Sequence, residues 1–143
     1  DLVLSRGLGD VYKRQYGNGN NDAYLLKTDS EGNELWSRTY GGSGTDQGRH
    51  IVETFDQGYI ISGYTDSYGS AGGFNFWLIK TDSNGDLEWQ GYYGGNGDDK
   101  AFCGIQASDG GYALVGQSNT GSSTGVDILL VKTDDIGNAA PSQ

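Results

Sequence analysis

Phe76 to Gly95 reads FWLIKTDSNGDLEWQGYYGG. An apolar run closes on Lys80 and Thr81. A polar DSNGD turn follows, a second run carries Trp89 and Tyr93, and Gly94-Gly95 ends the stretch. An Asp opening a turn accepts bonds from backbone two residues on, and Gly85 supplies a positive φ, so the stretch predicts a β-hairpin. Nearly the same text stands upstream as Ala23–Gly42, AYLLKTDSEGNELWSRTYGG. Its first half returns as Ile128–Asn138, ILLVKTDDIGN. Lys27, Lys80 and Lys132 mark one position at separations of 53 and 52 residues. A period of that length signals a repeat architecture.

The intervening segments keep step. Arg49–Phe55 and Tyr59–Thr65 read as strands around the turn Asp56-Gln57-Gly58, a second hairpin, with Gly41–Gly48 read as a loop. At an offset of 53, Gly41-Gly42 meet Gly94-Gly95, Asp46 meets Asp99, Asp56 meets Asp109, Tyr59 meets Tyr112 and Gly63 meets Gly116. One residue is lost between Asn119 and Val126, so Asn75 meets Asp127 at 52. No stretch has helical apolar spacing. Four short antiparallel strands per unit of about 50 residues predict an all-β fold, a partial β-propeller of four-stranded blades. About two and a half blades are expected: part of one over 16–40, a full one over 41–93, most of another over 94–139, with a tail or linker at 140–143. A parallel β-helix is the competitor, but its shorter rungs do not supply four hairpin-linked strands per repeat.

Composition bounds the function. The chain has 143 residues, with 26 Gly, 1 Pro, no Met and a formal net charge of −10. An acidic surface disfavours nucleic acid and anionic membrane as partners. No apolar run approaches the roughly 20 residues of a membrane span, so no membrane insertion is expected. The lone Cys103 makes no internal disulfide. Ser5 to Gln15, SRGLGDVYKRQ, resembles a translated sequencing adapter. Residues 1–15 are therefore set aside as a non-native segment, and the missing initiator Met is read as the mark of a fragment.

Few residues carry chemistry. Trp36 with Tyr40, and Trp89 with Tyr93, each fall on one face of a strand and read as packing between blades; a sugar-stacking platform is the alternative. Gly63 and Gly116 read as points of close backbone approach near a propeller axis. Asp29, Asp82 and Asp134 read as turn caps. DSNGD, with Asp82 and Asp86, superficially resembles the start of a calcium loop but lacks its length and closing Glu. Asp46 and Asp99 lie in glycine loops before strands, so these four carboxylates are weak calcium candidates and no other cofactor is indicated. His50 aligns with Cys103, which reads as a tolerant repeat position. With one His in the chain, neither a Ser-His-Asp triad nor a three-His metal site is available within it. No catalytic residue is assigned.

Laid out in order, Trp36, Tyr40-Gly41-Gly42, Gly44, Asp46, Ile51, Thr54, Asp56, Gly58-Tyr59-Ile60, Gly63, Thr65, Ser67, Trp77-Leu78-Ile79-Lys80 and Asp82 form a repeat. It resembles a family of bacterial and archaeal extracellular β-propeller repeats of about 50 residues. The second copy departs at Cys103, Gln106 and Ser108, and no Trp precedes Lys132. Kelch repeats share a glycine pair but space Tyr and Trp differently. The resemblance implies a secreted or cell-surface, multi-domain parent and no defined catalytic residues. It implies a non-enzymatic scaffold or adhesion module, whose partners are the remaining blades and a glycan or surface protein. Two alternatives stay open: the propeller portion of a secreted carbohydrate-active hydrolase or lyase, and a structural spacer.

Overall fold

The computed structural model describes residues 2–4, 20–69, 72–120 and 125–139. Among them the fold is all-β. Ten strands follow in order: β1 (Leu2–Leu4), β2 (Ala23–Thr28), β3 (Glu34–Tyr40), β4 (Asp46–Glu53), β5 (Tyr59–Thr65), β6 (Asn75–Thr81), β7 (Leu87–Tyr93), β8 (Asp99–Gln106), β9 (Tyr112–Ser118) and β10 (Asp127–Lys132). All pair antiparallel, in three sheets ordered β1-β2-β3, β4-β5-β6-β7 and β10-β9-β8.

The turns explain the hairpins. Asp29 Oδ1 accepts from the backbone N–H of Glu31 and Asn33, both at 2.9 Å. Asp82 Oδ1 does the same for Asn84 and Asp86, at 2.8 and 2.9 Å. Asp134 Oδ1 takes Ile136 and Asn138, at 3.1 and 2.7 Å. Each turn glycine is left-handed, with φ of 88° at Gly32, 76° at Gly85 and 86° at Gly137. These backbone bonds hold the Asp29, Asp82 and Asp134 carboxyls below their ordinary range; for Asp29 the Asn33 side-chain amide adds the largest part.

The middle sheet is the centre of the molecule. Every residue of β5 and β6 is buried, which requires cover on both faces. One face, Tyr59, Ile61, Trp77 and Ile79, packs on Ala23, Leu25 and Tyr40 of the first sheet. The other, Ile60, Phe76 and Leu78, packs on Ala101, Tyr112, Leu114 and Val131 of the third. Ala23 and Leu25 hold the repeat positions of Phe76 and Leu78, while Leu129 and Val131 hold those of Trp77 and Ile79. Both junctions therefore join the same two faces in the same order, front to back.

Three local differences from the sequence reading have physical causes. β4 begins at Asp46, three residues before Arg49, because Asp46–Gly48 pair with Thr65–Gly63 ahead of a bulge at Gly48/His50. A matching bulge interrupts β8 at Ala101/Cys103, and bulges add local twist. Gly63 and Gly116 do sit where backbones approach closely, but the neighbours are the bulged strands. A methyl group at either would collide with the carbonyl of Gln47 or Lys100. Finally, Leu2–Leu4 of the segment set aside pairs with β2, Leu2 opposite Lys27 and Leu4 opposite Leu25. That edge of β2 is the one β5 and β9 cover on β6 and β10, and an exposed edge takes backbone partners largely without regard to side chains. Residues 5–15 and 140–143 lie outside the described residues.

Candidate functional site

The repeated aromatics meet at the junctions between sheets. Trp36 on β3 reaches Tyr59 of the next sheet, with ring centroids 6.1 Å apart; Trp89 on β7 reaches Tyr112 at 5.5 Å. Each indole also covers the turn glycine of the following hairpin. A Cβ on Gly85 would lie 2.6 Å from Trp36, and one on Gly137 the same distance from Trp89. Four residues along, the Tyr40 hydroxyl donates to the Gly85 carbonyl at 2.6 Å and Tyr93 to that of Gly137 at 2.7 Å. Burial drives the Tyr40 phenol far above its ordinary range and Tyr93 up to about 12. The Trp-x-x-x-Tyr spacing thus places one strand against the turn of its neighbour, with a π surface at one end and a hydrogen bond at the other.

The repeated Lys and Asp form ion pairs within sheets. Lys80 is 3 % exposed, and its ammonium donates to Asp56 and Glu88 at 2.8 Å each and to the Thr81 carbonyl at 2.9 Å. The hydrogen bond from Lys80, then that from Thr54, holds the Asp56 carboxyl down at about 2. Burial pulls the Lys80 pKa down, but the two carboxylates outweigh it and the net shift is upward. Lys132 repeats the pairing with Asp109 at 2.8 Å, in a more exposed setting. Lys27 instead lies over Trp36 and Tyr59, 5.8 and 5.6 Å from their centroids.

Asp46 and Asp99 are fully buried clamps. Asp46 accepts from the Gly42 N–H at 2.7 Å, from Ser67 Oγ at 2.6 Å and from Thr65 Oγ1. Asp99 accepts from the Gly95 N–H at 2.8 Å and from Thr120 Oγ1 at 2.9 Å. Each carboxylate ties the glycine pair to the loop after the second strand of its unit, which accounts for the Gly-Gly-x-x-x-Asp spacing. The hydroxyl partners Thr65, Ser67 and Thr120 were not evident from sequence, since they lie 19 to 21 residues from the Asp each serves. Among the described residues no group of three or more His, Cys, Asp or Glu side chains is placed to hold a metal ion.

Asp22 adds a second carboxyl beside Asp46. Its Oδ1 is buried without a hydrogen-bond partner among the described residues. Burial, and then the Asp46 charge, push its pKa up. At the corresponding position Asn75 donates its amide to the carbonyls of Tyr68 and Gly73, at 3.3 and 3.4 Å.

His50 and Cys103 are brought together although they occupy equivalent positions in successive repeats, because front-to-back stacking sets one β4-type strand on the next. Cys103 Sγ lies 3.8 Å from His50 Nδ1, and the same nitrogen is 3.0 Å from the Gly104 carbonyl oxygen. A carbonyl only accepts, so Nδ1 carries the proton and faces the thiol as a donor. Nδ1 is then no base for that thiol.

One cleft opens between the first and second sheets, with a volume of about 300 Å³. Arg38, Tyr40, Tyr68, Asp86 and Gln90 are among its walls. Arg38 Nε pairs with Asp86 at 3.0 Å, and Tyr68 stacks on Tyr92 with centroids 5.2 Å apart. Sequence places Gly91, Gly121 and Asn138 where the next copy has equivalents of Arg38, Tyr68 and Asp86. The polar rim is thus particular to this junction. A guanidinium beside a carboxylate offers donors and acceptors to a neutral, hydroxyl-rich group.

No protein-family description and no curated protein sequence matches the chain.

Proposed function

We propose that the chain is a non-enzymatic β-propeller repeat module of a secreted or cell-surface protein, with a scaffold or adhesion role. The observation that carries this reading is the identical front-to-back order of the two sheet junctions. A heterologous contact applied repeatedly gives a ring when its rotation closes and an open stack when it does not. The conspicuous polar residues also have structural employment. Asp82 and Asp134 cap turns, Asp46 and Asp99 clamp loops, and Lys80 and Lys132 join strands. Secretion or surface display rests on the repeat resemblance, and among the described residues no helix is long and apolar enough to cross a membrane.

A crystal structure tests the architecture. Propellers of 4 to 8 blades need a rotation of about 45–90° per sheet about one shared axis. Two junctions with parallel, near-zero rotations would refute the ring. A glycan screen tests the adhesion role, which we place at the Arg38–Asp86 cleft. Binding that survives Arg38→Ala and Asp86→Ala would move it elsewhere.

A further inference from the structure

We infer that the cleft between the first and second sheets takes a single uncharged pyranose ring, the terminal unit of a glycan, and discriminates against acidic sugars. The inference rests on the adhesion reading and gives its site a ligand class. The repeat does not need the groups that line this cleft. Asp86 stands where the other two hairpins have Asn33 and Asn138. Its backbone N–H serves Asp82 as theirs serve Asp29 and Asp134, at 2.9, 2.9 and 2.7 Å. The amides of Asn33 and Asn138 also donate to Oδ2 of their turn Asp, both at 3.0 Å. A carboxylate at position 86 cannot donate, so this one turn gives up that bond and takes on a second negative charge. The return within the fold is small. Asp86 pairs with Arg38 at 3.0 Å, but the two side chains are 65 % and 38 % exposed, and an exposed ion pair contributes little stability.

The chemistry of the lining selects the ligand. The Trp77 indole, which only donates, gives its N–H to Gln90 Oε1 at 3.1 Å. That bond sets the orientation of the amide and leaves Gln90 Nε2 as a donor. Arg38 and Gln90 thus bring donors to the cleft, and Asp86 brings an acceptor. Adjacent hydroxyls of a pyranose satisfy both kinds, one donating to the carboxylate and another accepting from the guanidinium or the amide. Tyr68, stacked on Tyr92, adds an aromatic wall for the C–H face of the ring. The volume of about 300 Å³ is at the small end of ligand pockets, which suits one ring rather than a length of chain. Charge excludes the acidic sugars. Against the Arg38 cation stand Asp86 and, in the same turn, Asp82, on a chain of net charge −10. A uronate beside Asp86 meets like charge.

Saturation-transfer NMR on the full chain reads the binding of methyl glucoside, methyl galactoside and methyl mannoside, and of methyl glucuronide and methyl galacturonide. The expected result is that a neutral glycoside binds and its uronate binds about tenfold more weakly or not at all. Asp86→Asn matches the other two hairpins and so keeps the turn. It should lower neutral binding about tenfold and narrow the gap to the uronates. Arg38→Gln should also weaken neutral binding, and far-ultraviolet circular dichroism checks that both variants are folded. A uronate bound as tightly as its neutral counterpart overturns the selectivity and leaves an adhesion site in place. Neutral binding that Asp86→Asn leaves unchanged overturns the cleft as its seat. Binding of an oligosaccharide with none of any methyl glycoside overturns the single-ring site. No binding of any sugar by the folded chain overturns the ligand class, and the repeat-module reading is then judged on the sheet junctions in a crystal structure.

Discussion

Replacing Lys80 by Met is expected to destabilise the chain by about 2 kcal/mol, roughly a 30-fold change in the folding equilibrium. Met keeps the buried stem packed and removes only the ammonium. Three acceptors lose one donor each: Asp56, which keeps Thr54 and Gly58, Glu88 and the Thr81 carbonyl. Bonds to charged groups contribute about 1.5–3 kcal/mol each in favourable settings. The Asp56 and Glu88 side chains, however, are 59 % and 45 % exposed, so water screens and replaces much of that. Ending the burial of an ammonium also offsets part of the loss. What remains is largely the lost donor at the Thr81 carbonyl and a modest electrostatic contribution.

The pH dependence separates these parts. Asp56 titrates at about 2 in the folded chain and near 4 when unfolded. Its stabilisation is therefore present above about pH 4 and is lost as pH falls toward 2. After discounting for exposure it is worth about 1 kcal/mol. Lys80 is shifted upward, so its share persists through neutral pH and fades only in strong alkali. Urea unfolding followed by tryptophan fluorescence, with both proteins at one fixed concentration, gives the stability difference. Carboxyl NMR gives the Asp56 titration, which should return toward 4 in Lys80→Met. An Asp56 still titrating near 2, or a Lys132→Met variant as costly as Lys80→Met, would refute the assignment of that shift to a buried ammonium.

Tyr40→Phe should cost about 1–2 kcal/mol in urea unfolding, since it strands the Gly85 carbonyl in a buried junction. Tyr93→Phe, at the half-buried equivalent, should cost less. Asp22→Asn should stabilise the chain at pH 7, because it removes a carboxyl whose pKa is raised by burial and Asp46. That gain should shrink as pH falls and the wild-type carboxyl takes up its proton; a loss of stability at pH 7 would show that the Asp22 charge is used. Millimolar calcium and EDTA should give melting temperatures within about 1 °C of each other. A site filled at 100 times its dissociation constant would add about 2.7 kcal/mol and would show that Asp46, Asp99, Asp82 or Asp86 serves a metal rather than a loop.

The repeat was legible from residues alone because hairpins are local. Asp29 and Gly32, or Asp82 and Gly85, set turns within five residues, and Tyr59–Thr65 reads as a strand on its own residues. Strand order within each sheet follows from hairpin connections, so sequence determined the all-β class and nearly every strand position. It did not determine where β4 begins, since a bulge shifts the pairing without a composition signal. Nor did it pair Lys80 with Glu88 or Asp46 with Thr65 and Ser67, which needs the register of neighbouring strands. The junctions belong to tertiary structure alone. Residues at equivalent repeat positions, such as His50 and Cys103, look interchangeable along the chain, yet stacking one sheet on the next makes them neighbours. Trp36 meets Gly85 across 49 residues for the same reason: a strand buried on both faces needs a sheet on either side, and local hairpin contacts do not say which residues those sheets bring.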